Sequence, residues 1–470
     1  MNAHTNPVTS HHTDALFAAE GCLESIAVIT KDRGWTWGEV HGEALTLSSN
    51  LPDGHAVCNL CSSYLSFLIT WLAALRRNLP IILPPSRGTA DLKHVIALDS
   101  RPIIVVADHA LSPEIDATWL NYQPIGKTQK KWSAANLRWE AALETLWVTL
   151  YTSGSTGTPE PQPRSLKQLF IGAQQLTSRL EQACTSDPRS NLDVFDRIVS
   201  SVSPQHMFGI EAVLMLSMTS NKPVMEGKPL LPADIQDAMT RHPSRAAWVT
   251  TPLHLQAITR VSTKLTSCVL TLTSTMPLSR EIARRTEALI SGPVIEIYGS
   301  TETGALATRR TATTAVWQKL DSVMIKSNLD GAQVTGSHFD SPKTVTDRLV
   351  PVGSRHFELI GRNTDMVKIG GRRTSLAALN AILQEISAID DAIFMAAPAD
   401  ENKRPILIYT KSSSLSPAQI TSALREKIDP VFLPRIIIRV DHIPRNDRGK
   451  VAATDLKTIY QRWQKENSTS

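Results

Sequence analysis

Short β-rich apolar runs alternate with helix-period segments along most of the chain, and this alternation limits the possible folds more than any other feature. Ala56 to Leu60 (AVCNL) reads as a buried strand. Tyr64 to Arg77 carries apolar residues at helical spacing, and Pro80 to Leu83 is the next apolar run. Ile103 to Ala107, Trp147 to Tyr151, Arg197 to Val202, Ala247 to Thr250, Val269 to Thr273 and Val294 to Ile297 continue the series. Strands separated by helices need crossover connections, which implies mainly parallel sheets with helices on their faces. From Thr308 to Thr346 the pattern breaks into polar, β-type segments. A new unit begins after Arg362, with helices near Ser375 to Ile386 and Pro417 to Ile428, and strands near Ile406 to Thr410 and Ile436 to Val440. The expected fold class is α/β. A large N-terminal domain (residues 1–361) of mainly parallel sheets flanked by helices precedes a small α+β C-terminal domain (residues 362–470), hinged near Gly361 to Asp365.

A chain of 470 residues is long enough for two domains. Its longest strongly apolar stretch, Tyr64 to Leu75, is too short to span a bilayer. The polar start, MNAHTNPVTSHHTDALF, lacks the basic and apolar regions of a secretory leader, so the expected location is cytoplasmic. Five scattered cysteines make no disulfide framework. Cys58-Asn-Leu-Cys61 lies in an apolar run with no further ligands at zinc-site spacing, so both cysteines are expected to be buried and structural. The His11-His12 pair reads as part of a polar tail. Charge is distributed unevenly: residues 362–470 hold 17 Lys+Arg against 12 Asp+Glu, whereas the preceding 361 residues hold 32 of each sign. A basic small domain suits an acidic partner, which could be a nucleotide, coenzyme A or an acidic protein. With no basic run of five residues and no basic, aromatic-rich motif, nucleic acid is not an expected partner.

Thr149 to Thr158 reads TLYTSGSTGT directly after a strand pattern. Gly154 and Gly157 allow the backbone to turn with its N–H groups converging. The hydroxyls of Thr152, Ser153, Ser155 and Thr156 can add donors to phosphate oxygens. The Walker pattern GxxxxGK[ST] is absent, and taken alone the segment also admits a plain Ser/Gly-rich turn as the lesser reading.

A second segment changes that balance. Glu296 to Gly304 reads EIYGSTETG after the strand VIEI. Ser153-Gly-Ser-Thr-Gly157 followed downstream by Tyr298-Gly-Ser-Thr-Glu302 resembles the acyl-adenylate-forming superfamily of acyl- and aryl-CoA synthetases, luciferases and peptide-synthetase adenylation domains. Further segments follow in the family's order. Trp35-Thr-Trp-Gly-Glu39 resembles its early "LTY-x-EL" segment, and Leu72 to Pro84 its "LKAGA-x-x-x-P" helix and strand. Pro204 to Gly209 (PQHMFG) resembles "P-x-x-H-x-x-G". Gly361-Arg362 with Asp365 to Arg373 (DMVKIGGRR) resembles the hinge and its following loop, and Pro444 to Lys450 (PRNDRGK) the C-terminal lysine motif. The resemblance spans nearly the whole chain.

The resemblance implies a chemistry and a role for each matched residue. ATP and a carboxylic acid give acyl-AMP and pyrophosphate, and a phosphopantetheine thiol, on a carrier protein or coenzyme A, then displaces AMP. Phosphate charge must be neutralised by Mg²⁺ and positioned donors. Glu302 is the implied Mg²⁺ ligand, and Thr301 the donor to the α-phosphate. Thr152, Ser153, Gly154, Ser155, Thr156 and Gly157 form the implied phosphate loop. Tyr298, with Gly299 and Ser300, packs on adenine, Asp347 binds ribose, and Arg362 assists at the ribose or hinge. Lys450 reaches from the small domain to the developing phosphorane. His206 borders the acyl pocket. The small domain is expected to be mobile, turning near Thr364 to exchange Lys450 for the Gly370-Gly371 loop, where a pantetheine arm would pass. Because PQHMFG holds no acid to pair with an ammonium, an uncharged aryl or aliphatic acid is expected rather than an amino acid.

Some positions depart from the family. Glu160 stands where relatives have lysine, with Arg164 or Lys167 as possible replacements. Val345-Thr-Asp347 replaces Thr-Gly-Asp, and Ser274-Thr-Met-Pro277 replaces "GG-x-P". TPEPQPRSLKQL, KIGGRRTSLAALN and DPVFLPR resemble a narrower branch, the AMP-ligases of aryl polyene and xanthomonadin-type pigment clusters. That branch implies a hydroxybenzoate-like acid loaded onto an acyl carrier protein. Two alternatives stay open: an acyl- or aryl-CoA ligase using coenzyme A, and a catalytically weak adenylate-binding or carrier-docking protein, motivated by Glu160.

Overall fold

A computed structural model describes residues 23–110, 115, 117–126, 147–153, 159–185, 195–328, 331–362, 366–369, 372–386, 388–397, 404–411, 414–445 and 451–467. Two large sheets dominate. The first has six strands in the order Thr118–Asn121, Ile103–Ala107, Ala56–Asn59, Ile81–Leu83, Trp147–Ser153 and Pro159–Ser165. Every neighbouring pair is parallel except the last. The second sheet has eleven strands. From Ile26–Ile29 through Val224–Met225, Arg197–Ser200, Ala246–Thr250 and Cys268–Thr273 to Val294–Ser300 it is parallel. Beyond Val294–Ser300 it continues antiparallel through Gly304–Arg309, Trp317–Lys319, His356–Arg362 and Asp347–Val352. Thus the α/β reading holds, while the outer part of this sheet is built from hairpins and meanders that need no crossover helix.

Between the sheets lies one continuous apolar core that includes Phe67, Trp71, Leu150, Leu214 and Phe357. The helix Tyr64–Arg76 is buried along nearly its whole length, so it has no polar face to fix its orientation. Its N-terminus is fixed by charge instead. Asp108 accepts from the N–H groups of Ser62 and Ser63, and Glu226 accepts from those of Tyr64 and Leu65. Three N–H groups that the helix cannot satisfy internally, with that of Ser62 just before them, are met by two carboxylates at the positive end of its dipole. Cys58 and Cys61 are buried as expected, and burial pushes both thiols up to about 12. Such thiols are neither good nucleophiles nor good metal ligands.

Pro159–Ser165 (PEPQPRS) is a strand despite three prolines. The prolines recur at every second residue, so only one side of the strand loses its donors. The strand sits at the sheet margin, where that side faces no neighbour.

After residue 362 the strands leave the large sheet. Met366–Ile369 pairs with Arg372–Ser375, and Ala392–Met395, Ile406–Thr410 and Ile437–Val440 form a separate sheet. The helices Leu376–Gln384 and Pro417–Arg425 pack with it around Leu379, Leu383, Phe394, Leu407, Tyr409 and Leu424, giving the small domain its own core. Polar contacts join it to the large domain. Gln256 Nε2 donates to the Gln384 carbonyl at 3.1 Å, Gln384 Nε2 to the Pro277 carbonyl at 3.4 Å, and Arg260 meets Ile389 and Asp390. Among the described residues, no helix is long and apolar enough to cross a membrane.

Candidate active site

The strand Val294–Ser300 delivers the EIYGSTETG segment, and its start is tightly held. The buried Glu296 carboxylate accepts from Leu278 N at 3.1 Å, Arg309 Nε at 2.8 Å and Thr311 Oγ1 at 2.6 Å. Arg309 in turn lies over the Trp317 ring, 4.2 Å from its centroid. Two residues on, Tyr298 packs against Trp317 and Phe357, with ring centroids 5.5 and 5.8 Å away. Its hydroxyl donates to Asp347 Oδ2 at 2.9 Å. Asp347 begins a margin strand in which it pairs directly with Arg362. Tyr298, Asp347 and the backbone of Arg362, far apart in sequence, therefore share one place.

At the end of that strand the chain reverses through Thr301, Glu302 and Thr303 into Gly304–Arg309. Ser300 and Thr303 close this turn reciprocally. Thr303 Oγ1 accepts from Ser300 N at 3.1 Å, and Ser300 Oγ accepts from Thr303 N at 3.3 Å. Only glycine fits at 299, where a Cβ would lie 2.1 Å from the Gly304 carbonyl oxygen. Gly304 itself adopts φ +67°, a left-handed conformation that glycine takes at little cost. The turn carries half-buried Thr301 and Glu302 at its tip.

The strand that follows the glycine–hydroxyl segment and the helix that follows PQHMFG both reach this turn. Thr152 and Ser153 end the strand Trp147–Ser153, and Thr152 pairs with Glu160. Gly154, Ser155, Thr156 and Gly157 lie outside the described residues. On the return strand Glu160 is exposed, whereas Arg164 is 3% exposed and donates to the carbonyls of Glu302 (3.0 Å) and His338 (2.8 Å). Arg164 is therefore engaged beneath the turn, and the idea that it replaces the family's phosphate-loop lysine is corrected. His206 is half-buried at the start of the short helix Met207–Gly209, which runs into a π-helix, Ile210–Met215. From that π-helix Glu211 accepts from Ala305 N with both oxygens, at 3.1 and 3.0 Å. Burial raises the Glu211 carboxyl to about 7, opposed by the Ala305 N–H and the Arg164 charge. Lys450, Gly371 and the proposed pivot Thr364 lie outside the described residues, as does the Arg362 side chain.

Sequence reasoning missed Glu296, Trp317, Phe357, Glu211 and His338, and gave Arg164 another role. Glu296 was inside the quoted motif. The others have no local signature, because each acts through a partner far along the chain. What the geometry offers is one half-buried carboxylate on a rigid turn, an aromatic platform, and a second carboxylate, Asp347, beside it. No cluster of three or more His, Cys, Asp or Glu that could hold a metal occurs among the described residues. The set suits a cation that takes one carboxylate here and its remaining ligands from water and substrate phosphates, as Mg²⁺ does.

Comparison with known proteins agrees with this convergence. Residues 17–329, two-thirds of the chain, match the AMP-binding enzyme family. The chain belongs to that family. A linear gramicidin synthase of Brevibacillus parabrevis is 22% identical over 96% of this chain, which covers 6% of that protein. Across this and two other curated relatives the chain spans between 6% and 24% of their lengths. Among solved structures of AMP-binding fold, the anthranilate CoA ligase AuaEII in complex with anthranoyl-AMP superposes with a TM-score of 0.75 at 16% identity, covering 98% of this chain and 99% of that one. MenE of Bacillus subtilis, an O-succinylbenzoate coenzyme A synthetase in complex with ATP and magnesium ion, gives 0.72 at 16% identity, over 92% and 97%. At these identities the structural likeness concerns the fold.

Proposed function

We propose that this AMP-binding family member is an ATP- and Mg²⁺-dependent acid–thiol ligase. It activates an aryl acid of hydroxybenzoate type as acyl-AMP and transfers the acyl group to the phosphopantetheine thiol of an acyl carrier protein. The observation that carries the reading is the meeting of three separate segments at the Glu302 turn: Arg164 from behind the glycine–hydroxyl loop, Glu211 from behind PQHMFG, and the Tyr298–Asp347 pair beside it.

In this reading Asp347 accepts the ribose hydroxyls, and Tyr298 presents a ring face to adenine. Gly299 and Ser300 shape the floor of the nucleotide site. Thr152 to Gly157 cradle the phosphates, Thr301 donates to the α-phosphate, and Glu302 holds Mg²⁺. Bound there, Mg²⁺ would neutralise phosphate charge as the acid attacks. His206 borders the acyl pocket. The small domain, with its boundary at 361/362, brings Lys450 to the phosphorane and afterwards presents Gly371 to the incoming pantetheine. The family match, together with relatives and neighbours described as a gramicidin synthase, an anthranilate ligase and a succinylbenzoate synthetase, supports an acid-activating role. The aryl polyene branch rests on the segments TPEPQPRSLKQL and KIGGRRTSLAALN and on the basic small domain.

The second reading is an aryl-CoA ligase, favoured by the two CoA-ligase neighbours. Mass analysis of a phosphopantetheinylated carrier protein and of coenzyme A, both offered with ATP, Mg²⁺ and 4-hydroxybenzoate, separates the two. Acylated carrier is expected. Acylated coenzyme A alone would replace the first reading with the second.

A further inference from the structure

The Glu302 turn rests on a buried polar ring drawn from separate parts of the chain. Glu302 gives its carbonyl to Arg164 Nη1 at 3.0 Å. Three residues on, Ala305 gives its N–H to Glu211 and its carbonyl to His338 Nε2 at 3.1 Å. The ring closes where Arg164 Nη2 donates to the His338 carbonyl at 2.8 Å. Arg164, Glu211 and His338 are 3%, 4% and 0% exposed.

Close packing leaves this ring one arrangement. A Cβ on Gly304 would fall 2.4 Å from Glu211 Oε1, and one on Gly172, in the helix Leu166–Thr185 behind it, 3.3 Å from the same atom. Glu211 is brought there by a π-helix, a rare geometry that shifts a side chain relative to a regular helix and is frequent at functional sites. Stability alone does not explain such a cluster. Desolvating a carboxylate and a guanidinium costs several kcal/mol, and apolar residues of similar volume often serve stability as well. What charged groups add is direction: they fix the Glu302 carbonyl and the Ala305 N–H, on either side of the turn that carries the Glu302 side chain.

We propose that Glu211 and Arg164 are positioning residues for the Glu302 carboxylate, holding it in one orientation for the divalent cation that accompanies ATP. This rests on the reading that Glu302 is the metal ligand. Outer-shell partners of this kind typically change metal affinity about 10- to 100-fold when removed. The arrangement also ties the His206 segment to the metal side of the site through a single helix.

The test is direct binding, without turnover. Mn²⁺ is titrated by electron paramagnetic resonance into the intact protein with saturating ATP and no acid, alongside thermal melts of each variant. Wild type should bind Mn²⁺ in the ATP complex, and Glu302→Gln should weaken it. Glu211→Ala should weaken it about 10-fold or more in folded protein, while Glu211→Gln, which keeps an acceptor for Ala305 N–H, stays within about 3-fold of wild type. Should Glu211→Ala fail to fold, Arg164→Lys serves instead, since an ammonium cannot fork to both carbonyls; a several-fold weakening is expected. A lower melting temperature with unchanged Mn²⁺ affinity in these variants, while Glu302→Gln still weakens binding, would overturn the positioning role alone. Unchanged Mn²⁺ affinity in Glu302→Gln would overturn the metal-ligand reading and this proposal with it.

Discussion

The hydroxyl of Tyr298 donates to Asp347 Oδ2 at 2.9 Å, joining the parallel centre of the large sheet to its antiparallel margin. The ring beneath it is held by Trp317 and Phe357, so the phenol reaches Asp347 from a fixed base. Removing the hydroxyl in Tyr298→Phe deprives one carboxylate oxygen of this donor. The KM for ATP should rise about 3- to 10-fold, with stability lowered by about 1 kcal/mol, the net worth of one hydrogen bond. Asp347→Ala should raise it further. Steady-state kinetics at varied ATP with chemical denaturation checks both, and an unchanged KM in both variants would remove Asp347 from the nucleotide site.

Glu160 is exposed where it pairs with Thr152, at the base of the glycine–hydroxyl segment. A carboxylate there repels a triphosphate, and an ammonium attracts it. Glu160→Lys should lower the KM for ATP about 5-fold at low salt, and the gain should shrink as ionic strength rises and screens the exposed charge. A KM insensitive to both substitution and salt would place the triphosphate elsewhere.

Thr275 occupies a backbone conformation with φ +80°, in the left-handed region that favours glycine. A β-branched residue pays steric strain there, of order 1–3 kcal/mol. Thr275→Gly relieves the strain but loosens the unfolded chain, so a net gain of about 1 kcal/mol is expected in denaturant unfolding. A loss would mean that the Thr275 side chain contributes more than its backbone costs.

Burial holds three histidines below their ordinary range: His41 at about 3, His254 at about 4 and His338 at about 4. Arg76, Lys228 and Arg164 respectively push in the same direction. These histidines are neutral in the fold and take up protons more readily when unfolded. Their contribution is complete above pH 6.5 and falls away as pH drops toward 4, at up to about 1.4 kcal/mol per pH unit for each group. Glu211, raised to about 7, opposes this between pH 4.5 and 7, because its protonated form is favoured by the fold. Denaturant unfolding across pH 4 to 7 should show a net loss on acidification, and His254→Gln should reduce the slope. The same slope in that variant would mean His254 is not held neutral.

The sequence read well where a segment is buried by its own composition. Ile103–Ala107 is a continuous apolar run, Tyr64–Arg76 and the start of Val294–Ser300 are mostly apolar, and each lies where expected. Pro159–Ser165 hid behind its prolines, whose alternation matters only once a sheet margin is known to be there. The site divided in the same way. Tyr298, Glu302 and Asp347 were legible as motif, but Arg164 and Glu211 meet the Glu302 turn across 138 and 94 residues. Nothing in their neighbourhoods distinguishes a buried arginine or glutamate from an exposed one.

Acid-dependent pyrophosphate release tests the central claim most directly. Wild-type protein is given ATP and Mg²⁺ with a panel of benzoic, hydroxybenzoic, cinnamic and fatty acids, beside Lys450→Ala. Release should require an acid, be fastest with a hydroxybenzoate, and fall far more in Lys450→Ala than does thiol transfer from supplied acyl-AMP. ATP binding with no pyrophosphate released for any acid would contradict an acid-activating enzyme and point instead to an adenylate-binding protein.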